Sequence, residues 1–241
     1  MKKFAVVQIP EGYVYQRVET KGKEAKVIFA KIAEKAYAYI KTEDLSESDF
    51  GYEPKTDWQR KGKSRIFEAL KNKPECGGFY TTTYEVSESE DGTLQSVPDA
   101  IPAVGKSCSE AKKLAEKFDP ERGSRLGTVN EYFLVIARLI KDGVITWEQA
   151  FDDSKDVGNY WTSSDSPKEM EKTGSRWTGE ISNFIGNTIK IVSDEESRSG
   201  FSLAGGSFYY YGNIYPAGDV FRYNYPFDTL CISVLWVVLS K

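Results

Sequence analysis

The sequence predicts an α+β protein in which mixed antiparallel sheets pack with two or more helices. Segments with helical spacing of apolar residues, some of them preceded by capping boxes, alternate with runs rich in β-forming residues. The chain has 241 residues and a hydrophobic content of 40%, which is enough to bury a sizeable core. No linker rich in Pro, Gly or Ser divides it, so we expect one domain over residues 1–241.

The first part of the chain predicts a strand followed by a helix. Residues 1–10 carry an apolar run that Gln8 and Pro10 interrupt, which favours a first strand over a signal sequence. Apolar residues over Glu24–Ile40 recur with helical spacing between lysines and glutamates, which is typical of an amphipathic helix. Phe67–Leu70 indicates a shorter helical turn.

A strand is predicted next, over Phe79–Val86, because this segment is dense in Phe, Tyr, Thr and Val. The acidic run Ser87–Gly92 ends it and predicts a solvated turn. Calcium binding is the alternative for this run, although its spacing matches no known calcium loop. No metal site and no cofactor are predicted elsewhere.

Three helices follow in the middle of the chain. Ser109 is expected to cap a helix that ends at Phe118. Thr128–Glu131 has the capping-box pattern and precedes the apolar segment Tyr132–Ile140, which predicts a helix against the core. Thr146–Gln149 repeats that pattern and predicts a short helix.

The remaining elements are strands. Tyr160–Ser164 and Thr188–Val192 are rich in aromatic and β-branched residues, and loops of Gly, Ser and Asn separate them. Trp236–Leu239 predicts a buried strand rather than a membrane anchor, because no apolar stretch approaches the roughly 20 residues of a spanning helix.

Composition excludes several functional classes. The net charge of -4 favours neither nucleic acid nor an anionic membrane as a partner. The sequence has no histidine, so it lacks the commonest general base and the commonest neutral metal ligand. The three cysteines Cys76, Cys108 and Cys231 are widely spaced and odd in number, which favours reduced thiols. We therefore expect synthesis and folding in the cytoplasm, with display on a cell surface or virion left open.

The sharpest change in composition comes after about residue 200. Glu196 is the last glutamate, Gln149 the last glutamine, and Lys190 the last lysine before Lys241. The segment 201–241 nevertheless contains about a third of the aromatic residues of the chain. Tyr and Phe give large contact areas at low entropic cost, while Gly, Ser, Asn and Asp give adaptable hydrogen bonds, as in antibody paratopes. This composition predicts a binding surface.

An ordinary sheet with half-buried tyrosines is the alternative for Gly205–Tyr215. Three consecutive tyrosines, Tyr209–Tyr211, would point to opposite faces of any strand, so at least one hydroxyl-bearing face is expected at a surface. That alternative does not explain why Lys, Glu and Gln disappear together. The run Phe208–Cys231 contains only residue types that arise when the two adenines of an AAC-type asparagine codon are randomised.

At this point the sequence resembles the variable proteins of diversity-generating retroelements, in which adenine-directed mutagenesis rewrites the 3′ end of a gene. Three segments occupy places comparable to those in that family: Gly205–Phe208, Ala217–Phe221 and the closing Val237–Leu239. The resemblance implies a C-type lectin fold with a variable region at about residues 205–233. Residues 1 to about 120 match nothing in the family, which would suit a divergent, archaeal AvpA-like subclass.

Two further motifs resemble the formylglycine-generating-enzyme-like branch of the C-type lectin fold. Gly123–Tyr132 is similar to a Gly-Ser-Arg-Leu-Pro-Thr-x-x-Glu-aromatic helix start, and Tyr160–Ser164 to a Tyr-Trp-Ser-Ser strand. Two departures are evident. Gly127 stands where that motif has proline, and Ser233–Trp236 stands where the family often has Ile-Gly-Phe-Arg.

The resemblance implies a ligand-binding receptor or adhesin rather than an enzyme. Its partner would be an unknown protein or glycan, on another cell or a virus surface. We expect Ile232, Val234, Trp236 and Val238 to form the fixed core, with Trp161 and Trp177 packed beside them. The predicted contact residues are Phe208, Tyr209, Tyr210, Tyr211, Asn213, Ile214, Tyr215, Asp219, Phe221, Tyr223, Tyr225, Phe227 and Asp228.

Other functions stay open at this stage. Calcium-independent sugar stacking on the tyrosines is one alternative, because the carboxylate-bearing motifs of calcium-dependent lectins are absent from the sequence. A formylglycine-generating type of enzyme needs a suitably placed cysteine pair, and Cys231 alone does not supply one. The adjacent carboxylates Asp152/Asp153 and Glu195/Glu196 are expected to be solvated charges rather than an acid/base pair.

Overall fold

The computed structural model describes residues 13–21, 24–31, 36–162, 168–222 and 233–239. These residues belong to two compact units, Met1–Glu34 and Lys35–Lys241. The prediction of a single domain over the whole chain stays a prediction.

The first unit contains an antiparallel hairpin of strand β1, Tyr13–Lys21, and strand β2, Glu24–Lys31. The amphipathic helix predicted over Glu24–Ile40 is therefore wrong. Its apolar positions fit a helical spacing, but consecutive β-branched and aromatic residues at Val27–Phe29 favour an extended chain, and pairing with β1 decides the outcome. The strand predicted over residues 1–10 lies outside the described residues.

The described residues of the second unit form four helices, each with a threonine or serine at its N-cap. The caps are Thr56, Ser107, Thr128 and Thr146, and each side-chain oxygen accepts the N–H of the residue three positions on. The helices are α1, Asp57–Lys71; α2, Cys108–Phe118; α3, Val129–Lys141; and α4, Trp147–Phe151. Single 3-10 turns occur at Glu47–Phe50 and Pro120–Arg122.

The helices over 129–141 and 147–151 confirm the capping-box predictions. The N-cap of helix α2 lies two residues before the predicted one, because Ser107 rather than Ser109 forms the capping box with Glu110. Helix α1 is much longer than the turn predicted at Phe67–Leu70. Its first half is rich in Lys, Arg and Gln. The buried positions there are Gln59 and Gly62, so no apolar spacing indicated a helix.

The strands of the second unit form two four-stranded sheets and two short hairpins. The strands are β3, Tyr37–Lys41; β4, Gly78–Thr82; β5, Ser87–Glu88; β6, Leu94–Gln95; β7, Ser124–Leu126; β8, Trp177–Thr178; β9, Ile181–Ser182; β10, Ile189–Ser193; β11, Phe201–Ala204; β12, Val220–Arg222; β13, Ser233–Leu235; and β14, Val237–Leu239. One sheet has the order β3-β4-β14-β7, and all its pairs are antiparallel. The other has the order β12-β11-β10-β13, in which only β10 and β13 run parallel. The predicted α+β class with mixed sheets is confirmed.

Several strand predictions need correction at their ends. The strand predicted over Phe79–Val86 ends at Thr82. The solvated turn predicted over Ser87–Gly92 is wrong at its start, because Ser87–Glu88 forms β5, which pairs with β6 and buries Ser87. Trp161 makes a single bridge to Tyr211, so the described part of Tyr160–Ser164 forms no strand. The prediction for Thr188–Val192 is confirmed by β10.

The main core lies around α3. Trp236 and Val238 are buried in it, as predicted, whereas Trp177 is wrongly assigned, because its side chain is 57% exposed and contacts Tyr84 at the surface. Ile232 lies outside the described residues, and Val234 is described only as part of the backbone of β13.

The closing strand of the chain is central to its sheet. Strand β14 lies between β4 and β7, and its Val238 pairs with Thr81 on one side and Arg125 on the other. Beside it, the Gly127 N–H donates to the Trp236 carbonyl at 2.9 Å, and a Cβ at residue 127 would overlap the Trp236 ring. The two departures from the motif, Gly127 and Trp236, are therefore in contact.

Candidate ligand-binding surface

Residues 205–219, which we call the display loop, connect strands β11 and β12. The loop consists of turns, at Phe208–Tyr210, Gly212–Ile214 and Ala217–Gly218, rather than strands. The ordinary-sheet alternative for Gly205–Tyr215 is thus wrong. Sheet pairing is limited to the two ends of the segment and to the single bridge between Tyr211 and Trp161, so most side chains between the ends are placed by turns and by contacts with the core.

Three backbone hydrogen bonds fix the middle and the end of the display loop to the core. The Trp161 N–H donates to the Tyr210 carbonyl at 2.9 Å. The Ser154 N–H donates to the Gly212 carbonyl at 3.3 Å, and the Gly218 N–H to the carbonyl of Ala150, in α4, at 2.7 Å. Because the loop contributes main-chain atoms to each bond, these anchors are independent of its side-chain identities.

Two core side chains fix the base of the display loop. The buried Tyr132 hydroxyl of α3 donates to the Ala217 carbonyl at 2.6 Å, and the Ala217 N–H donates to the Ser154 hydroxyl oxygen at 2.7 Å. Burial raises the pKa of Tyr132 well above its ordinary value, so this hydroxyl keeps its proton and remains a donor. The base of the loop is therefore held by neutral, buried hydrogen bonds.

Glycines occur where the display loop touches the core most closely. A Cβ at Gly206 would overlap the Tyr160 ring, one at Gly218 would overlap the Phe151 ring, and one at Gly212 would lie 2.5 Å from the Lys155 amide nitrogen. These three backbone positions accept no side chain unless the core moves.

Exposure divides the predicted contact residues into two groups. Tyr209, Tyr211 and Ile214 are 49%, 36% and 52% exposed, and Asn213 is also exposed. The half-buried members are Phe208, Tyr210, Tyr215, Asp219 and Phe221. The remaining four, Tyr223, Tyr225, Phe227 and Asp228, lie outside the described residues.

The half-buried rings form a continuous series beneath the exposed ones. Ring centroids are 5.7 Å apart for Tyr209 and Tyr210, 4.7 Å for Tyr210 and Tyr215, and 5.3 Å for Tyr215 and Phe221. Tyr210 and Phe221 also pack against the smaller hydrophobic cluster of the core. The exposed tyrosines thus rest on aromatic neighbours rather than on flexible side chains.

Trp161 belongs to this surface, a role that the sequence did not predict. Its ring stacks on Tyr211 with centroids 4.9 Å apart and an interplanar angle of 12°. Trp161 precedes the run Phe208–Cys231 in the sequence, and it was expected to pack beside the fixed core. Its position in the Tyr-Trp-Ser-Ser motif predicted a strand and gave no signal of stacking with the tail.

A buried polar network supports the display loop from below. The Lys190 ammonium donates to a Glu85 carboxylate oxygen at 2.7 Å, and the two side chains are only 3% and 2% exposed. Glu85 also accepts from the Asn187 amide at 2.6 Å and from the Thr188 hydroxyl. The carbonyl of Asn187, whose φ of 58° is left-handed, accepts the Phe208 N–H at 3.1 Å. Burial lowers the pKa of Lys190, and Glu85 opposes this shift.

Three of the carboxylates singled out from the sequence have structural partners. Asp152 accepts from the Thr56 hydroxyl at 2.6 Å, Asp153 pairs with Lys155 at 3.1 Å, and Glu196 pairs with Arg222. Asp219 differs from them, because burial raises the pKa of its carboxyl to about 6.

The described cysteines, Cys76 and Cys108, carry free thiols; Cys76 is exposed and Cys108 half-buried. Cys231 lies outside the described residues. No group of three or more potential metal-ligand side chains occurs within the described ranges. The helices among those residues include none that is long and apolar enough to cross a membrane.

No protein-family model matches this chain, and comparison with curated proteins gives no match.

Proposed function

We propose that this protein is a ligand-binding receptor or adhesin, in which the display loop presents a variable, aromatic-rich surface on a C-type lectin-like scaffold. The observation that carries the proposal is that the main chain of the loop is anchored to the core while some of its side chains are exposed. Its main chain is bonded to fixed core groups such as Ser154 and Tyr132, while Tyr209, Tyr211, Asn213 and Ile214 are exposed. Substitutions at such exposed positions usually change stability by less than about 0.5 kcal/mol.

Binding rather than catalysis is supported by the chemistry of the surface. Exposed aromatic rings dominate interface energies, and truncating a central one costs about 2 kcal/mol or more of binding energy in typical interfaces. The sequence contains no histidine, and Asp152, Asp153 and Glu196 are engaged in hydrogen bonds or salt bridges. The partner of this surface is proposed to be a protein or glycan outside the cell that makes it.

The proposal of a C-type lectin-like fold rests on the motif segments of the sequence and on their places in the structure. In the C-type lectin fold, a closing strand completes the base from which long loops project. Here β14 is central to one sheet, and the display loop leaves the other. The contact between Gly127 and Trp236 offers a reason for both departures from the motif, since proline at residue 127 would overlap the indole ring.

Diversification by a retroelement is tested by sequencing the 3′ end of the gene deeply in its native population, against a near-identical template copy. We expect substitutions at template adenines within the codons for Phe208–Cys231, concentrated at Tyr209, Tyr211, Asn213 and Ile214. Codons for buried Gly212 should stay constant, because its Cβ would meet the Lys155 backbone. Uniform codons throughout the run would reject diversification.

A calcium-independent lectin is a second candidate, favoured by the stacked rings of Trp161 and Tyr211. Sugars bind to exposed aromatic faces through their apolar C–H surfaces. A glycan array probed with the purified protein in a metal chelator distinguishes this case. Chelator-resistant binding that Tyr211→Ser abolishes would identify a lectin, whereas binding only to proteins would favour the first candidate.

A further inference from the structure

A cavity of about 670 Å³ opens between helix α1 and the turn Gly218–Val220. We call it the α1 cavity. Phe133 from α3 and Val220 contribute apolar surface to its lining, and polar side chains of α1 surround it. Its volume lies within the roughly 300–1,000 Å³ that is usual for sites that bind small organic groups.

The α1 cavity is formed by a contact that fixes the helix relative to the turn. Gly62 in α1 and Gly218 in the turn both approach the Phe151 ring so closely that a Cβ on either would overlap it. The buried Phe151 ring therefore holds the two walls at a set separation. Since both walls are fixed, the cavity is preformed and needs little reorganisation to accept a ligand.

One cation in the wall of the α1 cavity is unpaired. Arg60 forms an ion pair with Asp57, and Arg65 pairs with Glu68 at 3.2 Å. Lys61 makes no ion pair with any carboxylate in the described parts of the chain, and its ammonium lies 5.2 Å from the centroid of the Trp58 ring. The Trp58 side chain is 46% exposed. An aromatic face and an available cation thus lie side by side.

Asp219 provides an acid in the same lining. Burial raises the pKa of its carboxyl to about 6, the Val220 N–H hydrogen bond opposes the shift, and Lys61 opposes it more weakly. The other charged groups of α1 in the lining are Arg60, Arg65 and Glu68, and Tyr132 interacts with Asp219 from α3. A bound carboxylate would raise the pKa of Asp219 further, and the protonated form could then donate a hydrogen bond to it.

We propose that the α1 cavity binds a planar aromatic group that carries a carboxylate, with the ring against Trp58 and the carboxylate between Lys61 and Asp219. Such a ligand gives the Lys61 ammonium a carboxylate partner and also covers the exposed Trp58 indole. Binding takes up a proton at Asp219, so affinity rises as pH falls from 7.5 to 5.5. The lining of this site includes Asp219 from the display loop but none of the exposed residues Tyr209, Tyr211, Asn213 and Ile214, so a failure of binding here leaves the proposed function of the display loop untouched.

The proposal is tested by NMR titration of the ¹⁵N-labelled full chain with indole-3-acetate, and with tryptamine as the matched ligand of opposite charge. We expect indole-3-acetate to shift the Trp58 indole N–H and the amides near Lys61 and Gly218, with at least a tenfold preference over tryptamine. Lys61→Glu and Trp58→Ala alter exposed side chains and should each weaken binding about tenfold. Asp219→Asn should retain binding and remove its pH dependence.

A capped acetyl-Glu-Trp-Glu-amide peptide, titrated in parallel, identifies the source of the aromatic acid. Tighter binding of the peptide points to a segment of a protein partner, and tighter binding of indole-3-acetate points to a free small molecule. The proposal is overturned if neither probe shifts the α1 cavity at about 10 mM, if tryptamine binds as well as indole-3-acetate, or if Lys61→Glu leaves affinity unchanged. Unaltered spectra elsewhere in each variant establish that it is folded.

Discussion

Replacing Lys190 by methionine should destabilise the protein more than any substitution on its exposed surface. The ammonium of Lys190 donates to Glu85 at 2.7 Å and to the Thr188 carbonyl at 2.7 Å, entirely out of water. Methionine keeps most of the aliphatic volume but leaves the Glu85 carboxylate buried without its counter-charge. The Thr188 carbonyl also loses a donor.

The expected loss in the free energy of unfolding follows from these contacts. Removing one partner of a buried ion pair costs about 3–5 kcal/mol, because the other charge is left uncompensated. That is a large part of the roughly 5–15 kcal/mol of stability that is usual for a folded protein. For a unit of this size each kcal/mol lowers Tm by about 2–4 °C, so we expect a decrease of about 6–20 °C.

Urea unfolding followed by tryptophan fluorescence measures the change, with the slope m held equal between variants. The double variant Glu85→Gln/Lys190→Met removes both charges and should recover most of the loss. Lys55→Met is the matched control: Lys55 pairs with Glu148 at 3.2 Å, but the two side chains are 68% and 60% exposed. We expect the control to change stability by less than about 1 kcal/mol.

A loss below about 1 kcal/mol for Lys190→Met would refute this reasoning, because the pair would then contribute no more than an exposed one. If Glu85→Gln/Lys190→Met is as unstable as Lys190→Met alone, the unpaired charge of Glu85 is not the cause of the loss. In that case the cost would come from the lost hydrogen bonds to Thr188 and Asn183 rather than from the unpaired charge.

Three further predictions concern the display loop. Gly212→Val should lower the urea midpoint, because its side chain meets core backbone, whereas the adjacent Asn213→Val should leave stability within about 0.5 kcal/mol; equal effects would contradict the anchored-loop description. Tyr132→Phe should cost about 1–3 kcal/mol, since the Ala217 carbonyl loses a buried donor, and an unchanged midpoint would show that the bond is dispensable. Asp219 has a pKa of about 6 when folded and 3.8 as its ordinary value, so the folded state binds more protons between these values and stability falls as pH rises through this window. Asp219→Asn should accordingly stabilise the protein at pH 7.5 and not at pH 3.5, and a stabilisation independent of pH would exclude titration as the cause.

Local signals in the sequence predicted helices α3 and α4 correctly. The Thr128–Glu131 and Thr146–Gln149 patterns place hydrogen-bond groups within one turn, so neighbouring residues decide the structure. The wrong prediction of a helix over Glu24–Ile40 arose because contacts between distant residues decide the structure of this segment. Its apolar residues fit both a helix and a strand, and pairing with β1, which spacing alone does not report, decides between them.

The assignment of the contact residues stays a prediction, and the geometry of the candidate surface was not predicted. The composition of the run after Ser207 identified the exposed positions Tyr209 and Tyr211. It could not identify Trp161 as their neighbour, because stacking between residues so far apart in the chain depends on the complete fold. The α1 cavity was also not predicted, since Lys61 and Trp58 resemble an ordinary solvated helix face until Gly218 is placed against Phe151.

The central place of β14 has a genetic consequence. Under the proposed diversification, a stop codon or a frameshift introduced within the codons for Phe208–Cys231 would remove the strand that joins β4 to β7, and with it the buried Trp236. Such a product cannot complete its core and would be degraded. Folding would thus remove truncated and out-of-frame products, so that under this proposal every copy of the protein that persists has an intact reading frame through these codons.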